Sequence, residues 1–151
     1  MLDRSVSILI VENDMATSHE TMSVLSGMYH CTFAKTFNEA ADLLSETAFN
    51  LVILSLELAE DSGQNLFTII RGTWPNSHII ALSKSDDIRG QAAAMKHGAI
   101  YTIEKPFKID RFLVLIKSAL RSYELTRNRA VVNSDSGFAR TASATPSTRV
   151  A

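Results

Sequence analysis

Few side chains in this sequence could do chemistry, and most of them stand just past short apolar runs. Glu12, Asn13 and Asp14 follow Ser7–Val11, Ser55 follows Leu51–Leu54, Ser83 follows Ile79–Leu82, and Lys105-Pro106 comes just after Ile100–Ile103. As catalysts they are poorly equipped. A serine hydroxyl becomes a nucleophile only beside a general base, and none of these positions supplies one. His78 precedes the fourth run, at the far end of that strand from Ser83, while His19, His30 and His97 lie on or just after helical stretches. All four histidines therefore read as core or surface residues. Cys31 is the only cysteine, which excludes an internal disulfide and a cysteine metal cluster. No glycine-rich phosphate loop follows the first run.

The elements that must position these residues alternate regularly. Strands are predicted at Ser7–Val11, Cys31–Ala34, Leu51–Leu54, Ile79–Leu82 and Ile100–Ile103, the second of them weaker and suited to an edge. Amphipathic helices are predicted at Met15–Tyr29, Asn38–Thr47, Gln64–Arg71, Asp87–His97 and Ile109–Leu125, with Asn38, Asp87 and Asp110 as polar or acidic starts and Gly98 as a stop. Five βα units with right-handed crossovers make a doubly wound α/β sheet with helices on both faces. Sites in such folds lie beyond the carboxyl ends of the strands, where the residues named above fall.

The chain has 151 residues, 46% apolar and 21% charged, which fits one globular domain. Its boundary is placed at residue 126. Residues 127–151 are rich in Ser, Thr, Ala and Arg without apolar periodicity and are expected to be a flexible tail. The domain carries a formal charge of −4 and the tail +3, within a total of −1. No apolar run approaches the ~20 residues of a membrane span, and no secretion signal opens the chain, so a cytoplasmic location is expected. The tail is too short and unpatterned for a helix-turn-helix, so specific nucleic-acid binding is not expected. The stretch Arg140-Thr141-Ala142-Ser143 is too short a motif to carry weight.

Four motifs in order resemble the response-regulator receiver domain of two-component signalling. They are Ile8-Leu9-Ile10-Val11-Glu12-Asn13-Asp14, Leu51-Val52-Ile53-Leu54-Ser55-Leu56 with Gly63, Ala81-Leu82-Ser83, and Gly98-Ala99 followed by Lys105-Pro106-Phe107. The resemblance covers roughly residues 5–123 and implies a flavodoxin-like sheet of order 2-1-3-4-5 with five helices. In that family two adjacent acids after the first strand hold Mg²⁺ with an aspartate ending the third strand. That aspartate accepts a phosphoryl group from a histidine kinase, and a Ser or Thr and the Lys contact the phosphate.

Here the matching positions depart from the pattern. The phosphoacceptor position is Ser55 and the second acid position is Asn13. Three carboxylates and one lysine would give a pocket of about −2, whereas Glu12, Asn13, Ser55 and Lys105 sum to about zero. Mg²⁺ needs anionic oxygen ligands to offset its reluctant dehydration, so neither a metal nor another cofactor is expected. Asp14 reads first as a helix start, with partial compensation for the missing metal acid as its second reading. Lys105 is left with Glu12 as its remaining partner, so a Glu12–Lys105 ion pair is expected, with Ser55 as a bridge. The family's switch pairs the hydroxyl, here Ser83, with an aromatic residue three before the lysine. That position is Thr102, and Tyr101 beside it faces the other side of the sheet.

The last helix places Ile109, Phe112, Leu113, Ile116, Ala119, Leu120 and Tyr123 on one stripe suited to the sheet. Val114 and Leu125 project away from it, with Leu115 at its flank. Receivers use the face of the fourth helix, fifth strand and fifth helix for dimers and partners, so Tyr101, Lys105, Arg111, Val114, Leu115, Arg121 and Leu125 are candidate contacts. The reading is a non-enzymatic, stand-alone atypical response regulator that binds a sensor kinase or another regulator, or forms a homodimer, without phosphorylation. The alternative is a receiver still switched on Ser55 or nearby Asp61. An unrelated enzyme on the same architecture lacks an activated nucleophile.

Overall fold

The computed structural model describes residues 3–136, with side chains described for 5–125. In chain order its elements are β1 (Asp3–Val11), α1 (Met15–Leu25), β2 (Tyr29–Ala34), α2 (Phe37–Glu46), β3 (Leu51–Ser55), a 3-10 turn (Leu56–Leu58), β4 (Glu60–Asp61), β5 (Gln64–Asn65), α3 (Leu66–Thr73), β6 (His78–Ser83), α4 (Ile88–Lys96), β7 (Tyr101–Glu104) and α5 (Ile109–Ser136). Five parallel strands form the main sheet in the order β2-β1-β3-β6-β7. With the small β4–β5 hairpin set aside, this is the expected order, and the weak second strand lies at an edge as its composition implied.

Helices cover both faces of the sheet. Leu9, Val11, Val52, Leu54, Ile79 and Ala81 point to one side and pack with Phe37, Leu44, Ile70 and Ala94 of α2, α3 and α4. Ile8, Ile10, Ile53, Ile80 and Leu82 point to the other and pack with Leu25, Phe112 and Ile116 of α1 and α5. Every residue of β3 is buried, because it runs between two strands and under helices on both sides. This is why its sequence is an unbroken apolar run rather than an alternating one. Phe112 is fully buried, and its truncation to Ala would cost about 4 kcal/mol.

Local chemistry sets the helix ends. Asp14 caps α1, its carboxylate accepting from the Thr17 N–H at 2.9 Å and the Thr17 hydroxyl at 2.5 Å. Asp87 caps α4 by accepting from Gly90 N–H at 2.9 Å. Gly98, at φ 109°, stops that helix in a conformation other residues resist. Three expected boundaries need correction. The cap of α2 is Thr36, which accepts from the Glu39 N–H at 3.1 Å, and not Asn38; Thr-x-x-Glu is a helix-start pattern. Helix α1 ends at Leu25 rather than Tyr29, since Tyr29 already belongs to β2. Helix α5 continues to Ser136, so residues 127–136 of the expected tail are helical backbone. No proline interrupts them, and an apolar stripe is not required for backbone hydrogen bonding. The remainder of that tail lies outside the described residues.

Candidate functional site

The reactive strand-end residues converge at the carboxyl edge of the sheet. The Glu12 side chain is 0% exposed, and its two oxygens have different partners. Oε1 accepts from Lys105 Nζ at 2.9 Å, while Oε2 accepts from the backbone N–H groups of Asn13 at 2.9 Å and Asp14 at 3.0 Å. The expected Glu12–Lys105 ion pair is thus present. Lys105 Nζ also donates to Ser55 Oγ at 3.3 Å and to Glu57 Oε1 at 3.1 Å. An ammonium has three N–H donors, and these acceptors use all of them. Backbone pairing fixes the lysine's position, since its N–H donates to the Ser83 carbonyl at 2.8 Å.

Ser55 ends β3 and is fully buried, with an ammonium as its hydrogen-bond neighbour and no base on its Oγ among the described residues. Ser83 is equally buried, but its Oγ accepts from Gln91 Nε2 of α4 at 3.0 Å and so is engaged away from Lys105. Burial alone would lower the Lys105 pKa; hydrogen bonds and charge from Glu12 and Glu57 outweigh it and hold the group above its ordinary value. The Lys105 hydrogen bond likewise lowers the Glu57 pKa, aided by Lys84, whose Nζ is 3.7 Å from Glu57 Oε2. Two carboxylates and two ammonium groups therefore cancel.

This arrangement leaves Mg²⁺ no buried carboxylate oxygen. The one buried carboxylate has both oxygens committed, Asn13 is exposed and uncharged, and the exposed Asp14 carboxylate is engaged by Thr17 as a helix cap, hydrogen bonds that lower its pKa and keep it ionised. Among the described residues no three His, Cys, Asp or Glu side chains converge to hold a metal ion. A cleft of about 640 Å³ opens above the site, lined by Asn13, Asp14, Thr17, Glu57, Lys84 and Lys105 among others. Its lining adds the exposed carboxylates of Asp14 and Glu20 to the two carboxylates and two ammonium groups above, so the cleft is acidic at its rim while the hydrogen-bonded set beneath it is neutral.

The remaining expected residues lie elsewhere. Thr102 is half-buried on β7, and Tyr101 faces the α5 side, with its hydroxyl 2.6 Å from Ser118 Oγ. On α5, Arg111 and Arg121 are exposed, Leu115 is half-buried, and Val114 and Leu125 are 65% and 58% exposed. Asp61 sits exposed on the hairpin and does not line the cleft. His78 packs edge-on to Tyr123 at the opposite end of the sheet. Two participants went unread in the sequence: Glu57, turned over the pocket by the 3-10 turn after β3, and Gln91 on α4. An acid two residues beyond a strand gives no signal of that turn.

The comparisons agree with this geometry. Residues 8–117 match the family described as "Response regulator receiver domain". The chain is 32% identical over 125 residues to the nitrogen assimilation regulatory protein NtrX of Azorhizobium caulinodans, covering 80% of this chain and 27% of that protein. It is 28% identical over 127 residues to the transcriptional regulatory protein PmrA of Pectobacterium parmentieri, covering 83% and 57%. The chain therefore spans between about a quarter and just over half of these relatives. Crystal structures of NtrX from Brucella abortus and of a CheY-like receiver domain from Methanospirillum hungatei superpose with TM-scores of 0.76 and 0.70. They are 25% and 22% identical, covering 86% and 80% of this chain and 30% and 98% of theirs, and the second speaks to the fold alone. No helix of the described residues is long and apolar enough to cross a membrane. On its sheet order, its strand-end site and its family match, this chain belongs to the response regulator receiver domains of two-component signalling.

Proposed function

We propose that this receiver acts by binding proteins, as a non-enzymatic module, without phosphorylation of its pocket. Ser55 stands where the family carries its phosphoacceptor aspartate, and Asn13 where it carries the second metal acid. Phosphoryl transfer to a receiver needs a nucleophile and a cation that neutralises the transferring oxygens. The observation that carries the reading is the closed hydrogen-bond set: Lys105 with Glu12, Ser55 and Glu57, and Glu12 Oε2 with two backbone amides. That set offers Ser55 no base, and the buried Glu12 carboxylate keeps no oxygen open to a metal; the one oxygen outside the set's hydrogen bonds is Glu57 Oε2, on a 40% exposed side chain 3.7 Å from Lys84. Ser83 on Gln91 and Thr102 in place of the aromatic switch residue support the same conclusion.

The binding surface is the face of α4, β7 and α5, with Tyr101, Arg111, Val114, Leu115, Arg121 and Leu125 as contacts. Its exposed Val114 and Leu125 favour a protein partner over nucleic acid. Candidate partners are a sensor kinase, another regulator or a second copy. Incubation with acetyl phosphate and Mg²⁺ followed by intact-mass measurement tests the proposal. Unmodified protein is expected, and a stoichiometric phosphoryl adduct, on Ser55 or on Asp61, contradicts it.

A further inference from the structure

The chain's near-neutral total hides two strongly charged halves. Residues 1–83 carry ten acidic and three basic side chains, and residues 84–151 carry six acidic and twelve basic, formal charges of −7 and +6. The fold sends part of this division to opposite edges of the sheet. Helix α2 packs beside β2 at one edge of the sheet, and α4 and α5 flank β7 at the other, on opposite faces.

At the β2 edge, Glu39, Asp42 and Glu46 of α2 are all exposed, and none is in an ion pair among the described residues. Of the cations in that half, exposed Lys35 follows β2 beside this patch and offsets one of its charges, and Arg71 has its guanidinium committed to the carbonyls of Pro75, Ser77 and Gly98. At the β7 edge, Arg89 and Lys96 of α4 and Arg111, Lys117 and Arg121 of α5 are exposed and likewise unpaired among the described residues. Arg89 and Lys96, seven apart, share a helix face, as do Val114 and Arg121. The exposed acids of α5, Asp110 and Glu124, are fewer than its cations. Exposed Val114 and Leu125 stand among these cations, and exposed Met22 lies on α1, which packs beside β2.

We propose that the basic α4–α5 edge binds the acidic α2 edge of a second copy of this chain, head to tail. A two-fold dimer through the basic edge would set the same patch against itself, five exposed cations against five, with Glu104, Asp110 and Glu124 as the exposed acids of β7 and α5 that offset them in part. Like charges brought together at an interface cost several kcal/mol, whereas the two different edges attract. A total of −1 gives no global repulsion to resist association. Individual surface pairs contribute only ~0.2–1 kcal/mol, so the contact is weak and salt-sensitive. A head-to-tail contact leaves a free edge of each kind at its ends and can extend beyond two copies. The inference uses the face assigned to partners above but not the pocket chemistry, so its failure leaves the acetyl phosphate test untouched.

Sedimentation velocity across a concentration series at low and high salt tests it on the full chain. At low salt the weight-average mass is expected to rise with concentration past that of a dimer, and at high salt, where the Debye length nears ~3 Å, to return to monomer. Two neutralised variants then identify the edges: Arg111→Gln with Lys117→Gln and Arg121→Gln, and Glu39→Gln with Asp42→Asn and Glu46→Gln. All six positions are exposed, so both variants should unfold at the wild-type denaturant midpoint. Each alone should remain monomeric, and an equimolar mixture should form a complex that stops at two chains, because each variant contributes its one intact edge. A wild type that stays monomeric at low salt, a salt-insensitive dimer, or a mixture that stays monomeric would overturn the proposal. So would retention on random-sequence duplex DNA through the same cations without self-association.

Discussion

Two half-buried cations hold opposite ends of the sheet, and their acceptors differ in kind. At the amino end Arg71 donates to the carbonyls of Pro75 at 2.9 Å, Ser77 at 2.8 Å and Gly98 at 3.1 Å. At the carboxyl end Lys105 donates to two carboxylates and a hydroxyl. Lys105 uses all three of its donors and Arg71 three of its five, but neutral carbonyls leave a positive charge in place while carboxylates cancel it. The residual charge at the amino end is felt by His78: burial first, and then Arg71, push that imidazole below its ordinary pKa, against the opposing effect of a hydrogen bond to the Ser122 backbone. Within the Lys105 set at the carboxyl end the buried charge is balanced, and acidic charge remains only on the exposed rim. Like the Arg71 clamp, that set ties neighbouring strand ends together by hydrogen bonds.

The largest effect expected from breaking this comparison is at Glu12. Glu12→Ala leaves Lys105 and two amides without their acceptor and should lower stability by roughly 3 kcal/mol in urea unfolding. A cycle with Lys105→Met should show the double variant costing less than the two single changes combined. Next comes Arg71→Met, which keeps the alkyl packing but strands three carbonyls, for a loss of about 2 kcal/mol. It should also raise the His78 pKa toward its ordinary value, as read by NMR titration, and an unmoved His78 resonance would separate the two groups.

The pH dependence is a smaller effect. A histidine whose folded pKa is lowered takes its proton more readily in the unfolded chain. Stability should therefore fall as pH drops through about 6.5, with a slope of at most about 1.4 kcal/mol per pH unit. His78→Phe should flatten that slope while keeping an aromatic edge on Tyr123. Smallest is Glu57→Gln, expected to cost under about 1 kcal/mol because its carboxylate is 40% exposed and screened by solvent.

Much of this was legible because it depends on patterns a linear sequence carries. The buried parallel strands are bare apolar runs, and a doubly wound sheet sends their ends to one edge, so Glu12, Ser55, Ser83 and Lys105 could be grouped before any coordinates. The Glu12–Lys105 pair followed from the receiver resemblance, which leaves Glu12 as the one acid remaining among the matched positions. Glu57 and Gln91 escaped because each reaches the site by a local turn or helix phase that no periodicity marks. The hairpin did leave a trace, Ser62-Gly63 at φ 52° and 82°, a dipeptide suited to a turn. The extension of α5 escaped because apolar spacing ends near Leu125 while helical backbone does not.

The central claim is that this pocket's one buried carboxylate is already matched by Lys105 and two backbone amides. Titration of the full chain with Mg²⁺, followed by calorimetry and by the amide resonances of Asn13 and Asp14, measures it directly, with Ser55→Asp plus Asn13→Asp as the restored comparison. The account predicts no saturable uptake by the native chain and clear uptake by the double variant; tight, saturable Mg²⁺ binding by the native chain at Glu12 would contradict it.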